Sequence, residues 1–269
     1  MALTEQELEE LAAARSLLEN PGLAVRLSRL LGVPVDTGMA LLPVTLRGNL
    51  QHLTEAGLLK ATEAALWTLE DRPGRAARER WHRLGATVSG GVGGLFGTST
   101  LLAELSLSTT IMLRSIADVA RSEGESLRAP EFRVHCLEVF ALGGGRGGDD
   151  GSDTAYYSLR ALLATQLRDA AEHVACHGVT HGAGPAVVQF VARVARYFGI
   201  QVSRKLAAQS LPAFGAVGGA AVNALFTGHY QDVARGHFVI RRLERTHGQA
   251  AVRDAYAAPS RQITAQRRS

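Results

Sequence analysis

Two stretches of the chain carry almost no charge and more glycine than an ordinary surface helix tolerates. They are Leu84–Ala103 (LGATVSGGVGGLFGTSTLLA) and Leu206–Gly228 (LAAQSLPAFGAVGGAAVNALFTG). A glycine inside a helix costs about 1 kcal/mol relative to alanine. Keeping Gly90 with Gly94, Gly93 with Gly97 and Gly215 with Gly219 at GxxxG spacing therefore implies helices whose backbones approach closely. Each stretch runs straight into a polar segment. The first leads to Glu104, Arg114 and Asp118, the second to His229, Asp232, His237, Arg241 and Glu244. The expectation is an all-α, compact multi-helix bundle in which two glycine-rich buried helices pack together and bring those polar segments to one place.

Both stretches have the length of about 20 residues that a membrane-spanning helix needs. Ser, Thr, Gln, Asn and one Pro dilute them well below a leucine-rich span, so burial on all sides inside a helical protein is the preferred reading. Insertion into a membrane is the alternative. The net charge of +4 is modest and no basic stripe is interleaved with aromatics, which argues against nucleic acid as a partner. Cys136 and Cys176 have no CxxC spacing and read as small hydrophobes in a reducing compartment. The acidic, amphipathic start MALTEQELEELAAARSLLEN lacks the basic and apolar regions of a signal peptide, so a cytoplasmic location is expected.

Helical periodicity runs through the chain and period-2 alternation is nowhere sustained. Thr4-x-x-Glu7 predicts a capping box opening a helix to Glu19. Asn20-Pro21 predicts the start of a second helix ending at Gly32. Further helices are expected over 40–69, 75–84, 131–142, 153–177, 185–198, 203–226 and 230–247, with Ser122–Pro130 a loop. Gly143-Gly-Gly-Arg-Gly-Gly-Asp-Asp-Gly151 reads as a flexible linker; it lacks the Lys-Ser/Thr ending of a phosphate-binding loop.

The polar residues define the chemistry. Arg114 and Asp118 are i,i+4 neighbours in apolar surroundings and are expected to pair. Glu104, and Glu138 in Cys136-Leu-Glu-Val-Phe-Ala-Leu142, are lone acids on apolar helices, and buried acids demand partners. The expected cations are Arg114, His237, Arg241 and Arg242. Such a set is either a structural salt-bridge network or a polar cavity in which carboxylates and histidines act on a ligand. For a metal, His229 with Asp232 at i,i+3 and His173 with His177 at i,i+4 are weak candidates, the latter pair lacking the HExxH glutamate. No GxSxG nucleophile elbow occurs, and adjacent His135 and Cys136 point about 100° apart on a helix, which disfavours a Cys–His dyad.

Four blocks resemble the EcsC protein family. They are Glu104-Leu-Ser-Leu-Ser-Thr-Thr-Ile-Met-Leu-Arg-Ser-Ile-Ala-Asp-Val-Ala-Arg121, Cys136–Gly144, Leu211–Phe226 and His229–Glu244, the run from Asn223 to Glu244 being the most specific. The resemblance departs at Leu105-Ser-Leu-Ser108, where the family pattern carries a proline. It implies recurrent polar residues at Glu104, Thr109, Thr110, Arg114, Asp118, Glu138, Asn223, Asp232, His237, Arg241 and Glu244, which are the candidate site residues. It implies no cofactor and no defined reaction. Because the family is named for a protein encoded beside a bacterial ABC transporter, it also implies a cytoplasmic accessory of a transport or secretion system, peripheral to the inner membrane. A hydrolase with a buried carboxylate/His site, with or without a metal, is the alternative. The expected organisation is a helical extension over 1–39, an EcsC-like all-α domain over 40–257 and a disordered tail over 258–269.

Overall fold

The computed structural model describes residues 3–19, 22–42, 44–66, 98–126, 129, 131–144, 155–177, 184–211 and 215–258. They form nine α-helices and one 3-10 helix, with no strand among the described residues. The α-helices are α1 (Glu5–Glu19), α2 (Leu23–Leu31), α3 (Val44–Leu66), α4 (Thr98–Ser122), α5 (Phe132–Gly144), α6 (Ala155–His177), α7 (Pro185–Gln209), α8 (Gly215–His247) and α9 (Gln249–Ala257); the 3-10 helix is Val35–Leu41. The all-α reading holds. The first glycine-rich stretch up to Gly97, and the helix expected over 75–84, lie outside the described residues.

Local signals set the ends. Thr4 and Glu7 form the reciprocal capping box, the Glu7 amide donating to Thr4 Oγ1 at 3.3 Å and the Thr4 amide to Glu7 Oε2 at 2.8 Å. The second helix starts at Leu23 behind Gly22, not at Pro21, and ends at Gly32, whose φ of 68° is the left-handed cap that glycine adopts without strain. Pro185 occupies the first turn of α7, where its missing N–H is no loss.

The larger corrections concern the second glycine-rich stretch. Its first residues, Leu206–Gln209, complete α7, which therefore runs far beyond the expected end at Phe198. α7 ends at Gln209, three residues before Pro212 in the sequence, a residue that cannot continue a helix. From Gly215 the glycine-rich and polar segments form one uninterrupted helix of 33 residues, with no break at Thr227–His229. Gly143 and Gly144, expected in a linker, close α5 and are buried. A Cβ on Gly144 would sit 2.3 Å from the Tyr197 carbonyl oxygen of α7, so this glycine is an approach point between two helices. The helix α9, which no sequence signal announced, follows Gly248.

α8 runs through the bundle and packs on α1, α2, α4, α5, α7 and α9; α7 lies beside it against α3, α5, α6 and the 3-10 helix. Their junction is an aromatic cluster. Phe140 of α5 lies 4.6 Å, centroid to centroid, from Phe198 of α7 and 5.3 Å from Tyr230 of α8, and Phe226 completes it at 5.3 Å from Tyr230. All four rings are buried, each contributing about 1.5–3 kcal/mol of hydrophobic stabilisation. A smaller cluster joins the ends of the chain: Leu11 and Ala14 of α1 meet Tyr156, Ile240, Leu243, Val252 and Tyr256.

Candidate functional site

The aromatic cluster fixes α5 against α8, and one turn away from it the same two helices present polar groups to each other. Glu138 lies two residues before Phe140 and is 2% exposed; His237 lies seven residues after Tyr230 and is fully buried. His237 Nε2 is 3.6 Å from Glu138 Oε2, and His135 Nδ1, one turn before Glu138 on α5, donates to the same oxygen at 3.2 Å. The His135-Cys-Leu-Glu138 spacing places both side chains on one helix face. The first turns of α6 supply the rest. Tyr156 Oη hydrogen-bonds His237 Nδ1 at 2.9 Å, and Arg160 Nε approaches Glu138 Oε1 at 4.0 Å. Arg160 also forks onto both oxygens of Glu244 at 2.7 and 2.9 Å, while Tyr157 donates to Glu244 at 3.2 Å.

Burial alone would push the Glu138 carboxyl up; His237, the His135 hydrogen bond and Arg160 work against it and lower it. Burial pushes His237 well below the ordinary histidine range, against the attraction of Glu138. These two directions conflict in part, because a neutral imidazole lends Glu138 no charge. The neutral imidazole is the firmer of the two, since His237 has no exposure and its Nε2 makes no hydrogen bond. The ionised Glu138 then rests on the His135 hydrogen bond and the Arg160 guanidinium. Burial likewise raises the Tyr156 phenol, which stays protonated. Glu138 and Glu244 flank the Arg160 guanidinium, which reaches both.

A cleft of about 580 Å³ opens between α5, α6 and α9 and reaches this centre. His135, Glu138, Tyr157 and Arg160 form its polar end, and Ala164 and Ala171 are among the small residues along α6 that leave it room. His237 is not part of the cleft wall and stands behind Glu138.

The candidate residues divide clearly. Glu138, His237 and Glu244 converge on this centre. Asp118 pairs with Arg121, one turn on. This is an i,i+3 pair, in which the Arg121 side chain reaches back along α4 to the buried carboxylate. Arg114 is half-buried with no hydrogen bond at Nε. Asp232 is tied to Arg26 of α2 at 3.1 Å, and His229 Nε2 donates to the Gly143 carbonyl at 2.9 Å. The two therefore each hold a different partner. Arg241 pairs with Glu125 at 3.0 Å, within a network in which Glu123 receives Arg242 at 3.0 Å and Arg245 also holds Glu125. Asn223 is fully buried one turn before Phe226, over whose ring the buried Lys205 ammonium stands at 5.2 Å. Thr109 is buried and Thr110 half-buried on α4. His173 is half-buried on α6 and packs against Gly184. Glu104 lies on α4 and His177 ends α6, but both side chains fall outside the described residues.

Sequence reasoning missed His135, Tyr156, Arg160 and the network acids Glu123 and Glu125. A His-x-x-Glu spacing on an apolar helix was the available signal for His135. Tyr-Tyr-x-x-Arg at the start of α6 becomes meaningful only once α6 is seen to pack on α5.

A second arrangement lies on the surface. Val25, Leu30, Val33, Leu41 and Val44 are exposed along α2, the 3-10 helix and the start of α3, and Val44 reaches 76%. Arg29 and Arg47 are exposed in the same segment, and Asp36 is its single acid between Gly22 and Leu50. Among the described residues, no helix is long and apolar enough to cross a membrane.

Residues 38–243, well over half of the chain, match the EcsC protein family. No curated protein and no solved structure matches the chain.

Proposed function

The chain belongs to the EcsC protein family, and on that premise we propose that it works at the cytoplasmic face of the inner membrane, as a peripheral accessory of a transport or secretion system. The observation that carries this reading is the exposure of Val25, Leu30, Val33, Leu41 and Val44 in one segment that also exposes Arg29 and Arg47. So many exposed large apolar side chains within twenty residues are uncommon on a free surface. Apolar groups flanked by arginine, with almost no acid, suit the boundary of an anionic bilayer. The association of the family's namesake with a transporter gene supports the same location. Vesicle flotation tests the reading: the protein rises with anionic vesicles at low salt, and Leu41→Glu with Val44→Glu abolishes this. Absence of binding to anionic vesicles, or binding that the double variant leaves intact, sinks it.

A second reading, a hydrolase acting in the cleft, is favoured by the access of that cleft to a buried, ionised carboxylate with imidazole and guanidinium neighbours. Hydrolysis of generic ester or phosphoester probes that Glu138→Gln removes supports it. Activity indifferent to that substitution counts against it.

A further inference from the structure

We infer that His135, Glu138 and His237 together hold one divalent transition-metal ion of the zinc class, with its open position facing the cleft. The inference rests on the geometry of the buried centre and is independent of the membrane reading.

The donor set comes first. His135 Nδ1, Glu138 Oε2 and His237 Nε2 all lie within 4.8 Å of one another. Two imidazoles and one carboxylate are the donors of a His₂Glu site, a set that suits zinc and its neighbours and does not suit magnesium or calcium. Distances come second. Zinc bonds of about 2.0–2.2 Å in tetrahedral geometry place neighbouring donors about 3.3–3.6 Å apart. The His135–Glu138 and Glu138–His237 separations of 3.2 and 3.6 Å bracket that value before any side chain moves.

A hydrogen-bonded cluster accounts for these groups less well. His237 Nε2 is completely buried, aims at a carboxylate oxygen and makes no hydrogen bond. Leaving such an atom unsatisfied costs about 1–3 kcal/mol. An ion bound by the three donors satisfies it. Nε2 then gives its lone pair to the ion, and Nδ1–H donates to the Tyr156 oxygen at 2.9 Å, the outer hydrogen bond that orients a ligating histidine. On the other side, the His135 Nδ1–H···Oε2 hydrogen bond gives way to two bonds to the ion, and the ring takes its Nε2–H form.

The contacts of Arg160 agree. Arg160 spends its fork on Glu244 and reaches Glu138 only through Nε at Oε1, so Oε2 is the oxygen left for a ligand. Access agrees as well, because His135 and Glu138 line the cleft. With three protein ligands, the fourth position opens toward that space, the arrangement of sites that present a metal-bound water to a substrate.

The test is zinc binding to the untagged, full-length protein after chelation, followed by calorimetry and by the visible spectrum of the cobalt form. The expected result is one ion per chain and the intense bands of four-coordinate cobalt. Glu138→Gln and His237→Ala lower the affinity by about 100-fold or more, and Tyr156→Phe by about 10-fold, with helical circular dichroism unchanged. Should His237→Ala fail to fold, His135→Ala at the cleft wall gives the same readout. His173→Ala is the control for adventitious binding and leaves the affinity unaltered. Three results overturn the inference: no stoichiometric ion in the parent protein, affinity undiminished in Glu138→Gln and His135→Ala, or loss of binding in His173→Ala alone.

Discussion

Arg15, on the first helix, donates its guanidinium to the backbone carbonyl of Tyr256, on the last, at 2.8 Å, and to that of Ala258 at 3.0 Å. The same side chain pairs with Glu19 and lies 5.4 Å from the centre of the Tyr256 ring. It caps the carbonyls that α9 cannot satisfy within itself.

Arg15→Ala is therefore expected to destabilise the protein by about 2 kcal/mol, since hydrogen bonds from a charged donor contribute about 1.5–3 kcal/mol. Urea unfolding gives the loss, and amide exchange places it: α9 exchanges faster while α7 does not change. Uniform loss of protection through the bundle would contradict the local clamp.

Gly38 lies on the 3-10 helix where it crosses α7. A Cβ there would stand 2.1 Å from the Ala207 carbonyl oxygen, a backbone atom that cannot swing aside. Gly38→Ala is expected to cost about 1–3 kcal/mol through overpacking. The same change at Gly57 meets nothing within 4 Å and is the matched control. Equal melting temperatures for the two variants would show that the crossing yields.

Arg160→Ala removes the cation shared by Glu244 and Glu138. Both acids are buried or nearly so, and a broken buried pair costs about 3–5 kcal/mol. Arg114, expected from the sequence to anchor a buried pair, is half-buried with no hydrogen bond at Nε, and Arg114→Ala is expected to be milder. Denaturant midpoints of the two variants decide the order, and Arg114→Ala as the more damaging change would reverse it.

Glu7 carries a pH signature. The hydrogen bond from His247 at 2.7 Å, with Thr4 behind it, holds the carboxyl at about 2 against an ordinary 4.5. A folded-state value below the unfolded one stabilises above about 4.5 and is lost as pH falls toward 2. The melting temperature of the parent should therefore drop more steeply across that window than that of Glu7→Gln. Parallel curves would remove Glu7 from the acid response.

What the sequence revealed follows from what is local. Capping at Thr4, the left-handed stop at Gly32 and the proline start at Pro185 each depend on a few neighbouring residues, and each was readable. The continuity of α8 was not, because Gly228 resembles a helix end and only packing on both sides holds the chain helical through it. Glu138 and His237 stood out as charged or titratable groups in apolar runs. Their partners His135, Tyr156 and Arg160 come from the same helix face and from a helix beyond a glycine linker, so only tertiary contact assembles them. Asp118 was correctly seen as needing a cation, and that Arg121 supplies one is a matter of side-chain direction that spacing alone does not decide.

The unbroken α8 has a mechanical consequence. Thirty-three residues at 1.5 Å each make a rod about 50 Å long. Asp232, which anchors the exposed segment through Arg26, and His237 are five residues apart on it, about 7.5 Å along the axis. With no hinge between them, a sideways push on the surface segment and a change of contents at the buried centre act on a single stiff lever. The exposed segment and the buried centre thus share one continuous element.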